Sequence, residues 1–281
     1  MNLRIALRLS AFINAAIETT SLGAESHLQI VSNAEPLLAF GGKPRKISVV
    51  FHNPDTNTFE GTVRARVYQT SSATATLLGE NPPKNLQVLA GQTVIESADL
   101  PVPHVEARTG LLVQWMDDSN RVVGCTQIAV YPTNLLAALK PLGARLQIGL
   151  FDPNNRIKPL LIAAGVDVDD LGDHELEAFP GKLAILGPFT ATNYHTRGFT
   201  ERVRKLAKKG TTVVWIQPPE TGTGKLVPTF YFVPVGKGLV LVAQPELLSD
   251  IVNNPSSQLN LIRLAELAVQ PEPPGLPEPT R

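Results

Sequence analysis

Between residues 27 and 131 apolar and polar positions alternate with the period of a β-strand. The runs KISVVFHN, GTVRARVYQT, QTVIESADL, TGLLVQWMD and RVVGCTQIAVYP are short and rich in Val, Ile, Thr and aromatics. Turn-forming residues separate them: Asn53-Pro54-Asp55, Gly79 to Pro83, Ala90-Gly91, and Asp117-Asp118-Ser119-Asn120. Strands at this spacing, with no helical period between them, predict an all-β sandwich of the immunoglobulin-like kind over residues 26–132. The pair 109–116 and 121–131, joined by a four-residue polar turn, predicts a hairpin. SSATATLLGENPPKN reads as a less regular connection at the edge.

The period changes after Pro132. A short apolar helix from Asn134 to Leu139 is expected to link the sandwich to a second domain, within a linker at 133–144. From residue 145 continuous apolar strands alternate with helical segments. RLQIGLF, VDV, GKLAILGPF and TTVVWIQ read as strands, and TFYFVPVGKGLVLVAQ as two more around Gly236-Lys237-Gly238. Residues 157–164 and FTERVRKLAKKG read as helices, the second strongly amphipathic with Gly210 placed to stop it. A last helix is expected to start at Asn254-Pro255, an N-cap followed by proline at the first helical position. Alternating strands and helices with apolar strands predict a doubly wound, mostly parallel sheet of the flavodoxin-like type over residues 145–270. The crossover rule then puts the C-terminal strand ends on one edge, where sites form in such sheets. The proline-rich tail at 271–281 is expected to be extended and disordered.

The strand ends of the α/β segment carry the candidate chemistry. They bear Asp152 in IGLFDPN, Gly187 in LAILGPF, Gln217 in WIQPP, and Gln244 and Glu246 in AQPE. The element order from 145 to 270 resembles the class I glutamine amidotransferase-like domain. In that family one strand leads to a Gly-rich elbow with a Cys nucleophile, and a later strand ends in His-Pro-Glu. By that match Gln217 stands in the nucleophile's place, Gln244 in the base's, and Glu246 alone is kept. A carboxamide is neither a useful nucleophile nor a base near neutral pH, and Pro218 lacks an N–H that an oxyanion donor would need. The resemblance therefore implies a catalytically silent relative, of the kind that accompanies β-sandwich modules in some carbohydrate-active enzymes. It implies a binding or scaffolding role linked to carbohydrate metabolism or the cell envelope. The alternative is a hydrolase using Asp152, His195 and Glu246 on the same edge. Tyr194, His195 and Arg197 come after the LAILGPF strand and, with Asp152, form the candidate ligand-binding group there. Trp115 is the candidate sugar platform if its ring faces outward; a core position is the other reading.

Composition narrows the partners. Lys+Arg and Asp+Glu both number 25, so the 281-residue chain carries no net charge, and no pull toward nucleic acid is expected. A carbohydrate or a protein is the expected partner; the oligomeric state is left open. No cofactor is expected. TGTGK at 221–225 lacks the spacing of a phosphate loop, and DVDDLGDHELE has Leu171 and Ala178 at the fifth and twelfth positions of a Ca²⁺ loop counted from Asp167. The five histidines form no i, i+4 metal pair, and no G-x-S-x-G occurs. Cys125, the single cysteine, reads as a small strand hydrophobe and excludes an intramolecular disulfide. Residues 1–25 fit two readings: an export signal, which would make the protein periplasmic or secreted, or a short amphipathic helix with Ile5, Leu9, Phe12 and Ala16 on one face, which leaves it cytoplasmic. No run is long enough for a membrane-spanning helix.

Overall fold

A computed structural model describes residues 28–31, 35–172, 176–189, 198–218 and 229–270. The described chain is mostly β, with three sheets and four α-helices. The first nine strands are β1 (Gln29–Ile30), β2 (Leu37–Phe40), β3 (Arg45–His52), β4 (Phe59–Thr70), β5 (Ala75–Glu80), β6 (Lys84–Val88), β7 (Thr93–Leu100), β8 (Thr109–Asp117) and β9 (Val122–Tyr131). They form two sheets. One has the order β1-β3-β7; the other has the order β2-β9-β8-β4-β5, with β6 also paired to β4. Every pairing is antiparallel except β2 with β9.

The alternation in the sequence becomes the facing of these sheets. Ile47, Val49 and Phe51 of β3, Val63, Ala65 and Val67 of β4, and Leu111, Val113 and Trp115 of β8 are all buried in one shared core. Phe51 and Trp115 meet edge to face across the layers, with ring centroids 5.9 Å apart. The turn after β3 is held by Asn53, whose side chain is fully buried. Its Nδ2 donates to the carbonyls of Asn57 (2.8 Å) and Val88 (3.0 Å), and its Oδ1 accepts from the N–H of Asp55.

The stretch expected as an irregular connection is two strands instead. β5 pairs with Arg66–Thr70 of β4, and β6 pairs with Phe59–Val63 of the same strand. Between them Asn81 donates its N–H to the Ala65 carbonyl at 2.8 Å. Pro82 and Pro83 then interrupt the ladder, because neither has an N–H to give. One edge of β4 is thus shared by two short strands with a proline break between them.

After β9 a 3-10 turn (Leu135–Leu139) runs straight into α1 (Lys140–Leu146), which carries Pro141 in its first turn. This corrects the expectation of a linker helix ending at Leu139: Pro141 sits where a helix tolerates proline, so the helix continues. Leu136, Leu139 and Leu142 are buried in the core of the next sheet rather than spanning open space. The remaining elements are β10 (Ile148–Phe151), α2 (Lys158–Ala163), β11 (Val168–Asp170), β12 (Leu183–Leu186), α3 (Phe199–Lys208), β13 (Thr212–Ile216), β14 (Phe230–Val235), β15 (Gly238–Ala243) and α4 (Pro255–Ala268). The sheet has the order β11-β10-β12-β13-β15-β14 and is parallel except for β14 at its edge.

This sheet is covered on both faces. Ile185, Val214, Ile216 and Leu241 point toward α1, α2 and α4, while Ala184, Leu186, Val213 and Trp215 point toward α3. That explains why its strands read as continuous apolar runs. α3 buries Phe199, Val203, Leu206 and Ala207, a single helical stripe, and stops where Gly210 takes φ +101° and returns its N–H to the Ala207 carbonyl. α4 begins as expected, with the Asn254 side chain accepting from the N–H of Ser256. No helix among the described residues is long and apolar enough to cross a membrane.

Candidate functional site

The parallel strands β10, β12, β13 and β15 all end on one edge. Gln217 continues β13 by one residue and donates its N–H to the Ala243 carbonyl at 2.9 Å, which brings it beside Gln244 at the end of β15. Gln217 is only 5% exposed, and its side-chain Oε1 has no hydrogen-bond partner among the described residues. Its φ is not positive. The backbone at this position therefore has none of the left-handed strain that a nucleophile elbow uses to lift a side chain clear. Gln244 is extended too (φ −76°, ψ 140°), donates its N–H to the Thr229 carbonyl at 3.0 Å, and opens a 3-10 turn, Pro245–Leu248. Glu246, on that turn, is exposed to solvent.

Asp152 lies directly after β10 and has a structural duty. Its Oδ2 accepts from the backbone N–H groups of Ile157 (2.6 Å) and Lys158 (2.9 Å), which otherwise would be orphans at the start of α2. Its Oδ1 is buried without a partner among the described residues. Between Asp152 and Gln217 lies the segment after β12. Gly187 donates to the Phe151 carbonyl (2.8 Å), and Phe189 donates to the Ile216 carbonyl (3.0 Å). The Asn154 side chain donates to the Pro188 carbonyl at 2.8 Å. Gly187 is required here: its φ is +104°, and a Cβ would stand 2.4 Å from the Ile216 carbonyl oxygen. The segment carries Phe189 into an aromatic cluster with Phe151 and Phe199, at centroid distances of 5.9 and 5.2 Å, and Trp215 joins through Phe199. Packed aromatics thus occupy the α3 side of the strand ends.

The structure brings Gln217 and Gln244 together and sets Asp152 two strands away. Tyr194, His195 and Arg197 lie outside the described residues, as does the 221–225 loop. Trp115 belongs to the other half of the molecule. Its ring faces inward and is 4% exposed, and its Nε1 donates to Thr126 Oγ1 at 3.1 Å. An outward sugar platform is therefore corrected: position 115 falls on the inward phase of β8 with Leu111 and Val113. Cys125 is half-buried, and burial pushes its thiol above the ordinary range, away from reactivity. Among the described residues no group of three His, Cys, Asp or Glu is placed to hold a metal.

Sequence reasoning marked Gly187 as a strand end but did not single out Phe189 or Asn154. The signal available was Gly-Pro directly after a buried strand, a turn marker on the functional edge.

No family model matches the chain, and no curated protein matches it. Among solved structures it is similar over part of its length to an alkylpurine DNA glycosylase of Pseudomonas fluorescens, with 10% identity, 38% of this chain, 31% of that chain and a TM-score of 0.30. It is similar to a Niemann-Pick type C2 protein from Japanese carpenter ant at 11% identity, covering 40% of this chain and 96% of that one, with a TM-score of 0.29. It is also similar to a β-glucosidase from Listeria innocua at 11% identity, covering 39% of this chain and 16% of that one, with a TM-score of 0.29. The chain thus spans less than a third of the glycosylase and about a sixth of the glucosidase.

Proposed function

We propose that this protein is a non-catalytic binding or scaffolding module. In this reading an immunoglobulin-like sandwich is joined to a flavodoxin-like domain whose amidotransferase-like edge has lost its chemistry. One observation carries it: the strand ends matched by the resemblance to a nucleophile and a base hold two neighbouring carboxamides, Gln217 and Gln244, on backbone free of left-handed strain. Nucleophile and base act as a unit, so replacing both removes the reaction that the edge would otherwise perform. The engagement of Asp152 as a helix cap counts against the hydrolase alternative, because two backbone N–H groups already occupy Oδ2. The buried Oε1 of Gln217, unpartnered among the described residues, suits an edge that recognises a hydrogen-bond donor rather than one that reacts. The carbohydrate or envelope connection rests on the resemblance of this half to silent domains found beside sandwich modules.

The test is a pair of measurements on the intact protein. Hydrolysis of glutamine and of p-nitrophenyl acetate should stay at background, while a glycan array should give retained binding to one sugar class. Turnover above background that disappears in Gln217→Ala or Gln244→Ala would overturn the reading.

A further inference from the structure

The two layers of the β half do not close completely. Between them lies a cleft of about 440 Å³, with inner walls of Val49, Phe51, Val63, Ala65, Ala98 and Trp115 and with Arg64, Asn81, Ser97 and Asp99 also lining it. It lies within the roughly 300–1,000 Å³ range of small-molecule sites. Its mouth is where the proline break falls. β5 leaves β4 at Asn81, Pro82 and Pro83 cross without donating, and β6 takes up the pairing at Lys84. The opening is therefore written into the chain by two residues that cannot continue a ladder.

The mouth has a second built feature. On β6 the inward phase is Lys84, Leu86, Val88; on β7 it is Val94, Glu96, Ala98. Lys84 and Glu96 thus occupy positions that face the space between the sheets, and they form an ion pair with each other across it. Lys84 Nζ also lies 3.4 Å from the Ser97 carbonyl. Lys84 is exposed and Glu96 partly so, and this pair therefore marks an entrance rather than a core.

From these features we infer that the intersheet cleft is a binding site for an uncharged, largely apolar small molecule that enters past the Lys84–Glu96 pair. The walls decide the chemistry. Trp115 spends its only N–H on Thr126, and the other five inner-wall side chains have no polar atom to offer, while Arg64, Asn81, Ser97 and Asp99 line the cleft beside the Lys84–Glu96 pair. An apolar body gains contact with the Phe51 and Trp115 rings on the inner walls. A charged occupant would lose hydration against those six side chains without gaining a partner from them. The site is separate from the strand edge of the α/β half, and it stands whether or not that edge binds a sugar.

The experiment uses the intact protein and the uncharged fluorophore N-phenyl-1-naphthylamine. Binding should saturate at one molecule per chain, with energy transfer from tryptophan that persists in Trp215→Phe. Ala98→Leu, which fills the cleft from a half-buried wall position, should weaken binding at least tenfold while the circular dichroism spectrum is unchanged. The anionic relative 1-anilinonaphthalene-8-sulfonate should bind more weakly. A methyl NMR titration gives a readout independent of any variant: the resonances of Val49 and Val63 should shift, and those of Val213 and Val214 should not. Unsaturable binding, equal affinity in Ala98→Leu, tighter binding of the anionic dye, or shifts centred on Val213 and Val214 would each overturn the proposal.

Discussion

The two halves of this chain bury their strands in opposite ways. In the α/β half every residue of β12 is completely buried, because helices lie on both faces of the sheet and each face has its own core. In the β half strands such as β3 and β4 have one wet face, and the dry faces of the two sheets meet without filling the space between them. Helices adjust their position against a sheet one side chain at a time. Two twisted sheets diverge toward their corners and need large side chains or a covering segment there. Here the corner has alanines, an ion pair and a proline break. The half whose strand ends carry the candidate site is therefore the filled one, and the half expected to be a β-sandwich retains the cleft.

The largest test of that contrast is at Phe199, which lies at the centre of the aromatic cluster under the α/β edge and is 2% exposed. Phe199→Ala should cost about 3–5 kcal/mol, read as a fall in the urea midpoint. A matched pair sharpens the comparison. Val214→Ala removes the same methyls from the filled core that Val49→Ala removes from a cleft wall. The first should cost about 2–3 kcal/mol and the second about 1 kcal/mol, since a wall already facing a cleft loses fewer contacts. Equal costs would mean that the cleft is packed in solution.

Asp152 gives a smaller effect with more diagnostic value. Asp152→Ala should lower stability by about 1–2 kcal/mol through loss of the α2 cap, and Asp152→Asn should recover most of it, because asparagine caps equally well. An essential acid would not be rescued in this way. The smallest effect belongs to Glu80 on the surface of the β half. Hydrogen bonding to Arg66 is the main cause that holds its carboxyl below the ordinary range, with Arg64 adding to it. A lowered folded pKa gives stability that is present above the unfolded value, about 4.3, and is lost as pH falls through the folded one. The difference in melting temperature between wild type and Glu80→Gln should therefore be small at pH 7 and shrink further below about pH 4. A difference that grows on acidification would reverse this assignment.

Much of the architecture was legible along the chain. The period-two runs at 46–53, 61–70 and 109–131 marked strands with one dry face, and the unbroken runs at 183–186 and 212–216 marked strands dry on both. Asn254-Pro255 and Gly210 marked helix limits, because caps and left-handed glycines act within a few residues of where they stand. The two carboxamides at strand ends were also readable, since residue type is explicit in the chain. Local patterns did not reveal that Asp152 is consumed by the N–H groups of 157 and 158, that Trp115 meets Phe51 from the opposite sheet, or that Lys84 and Glu96 face each other across a gap. Periodicity assigns a side chain to a face but carries no distance to the next layer. How closely two faces approach, and what is left between them, is settled by packing among residues far apart in the chain.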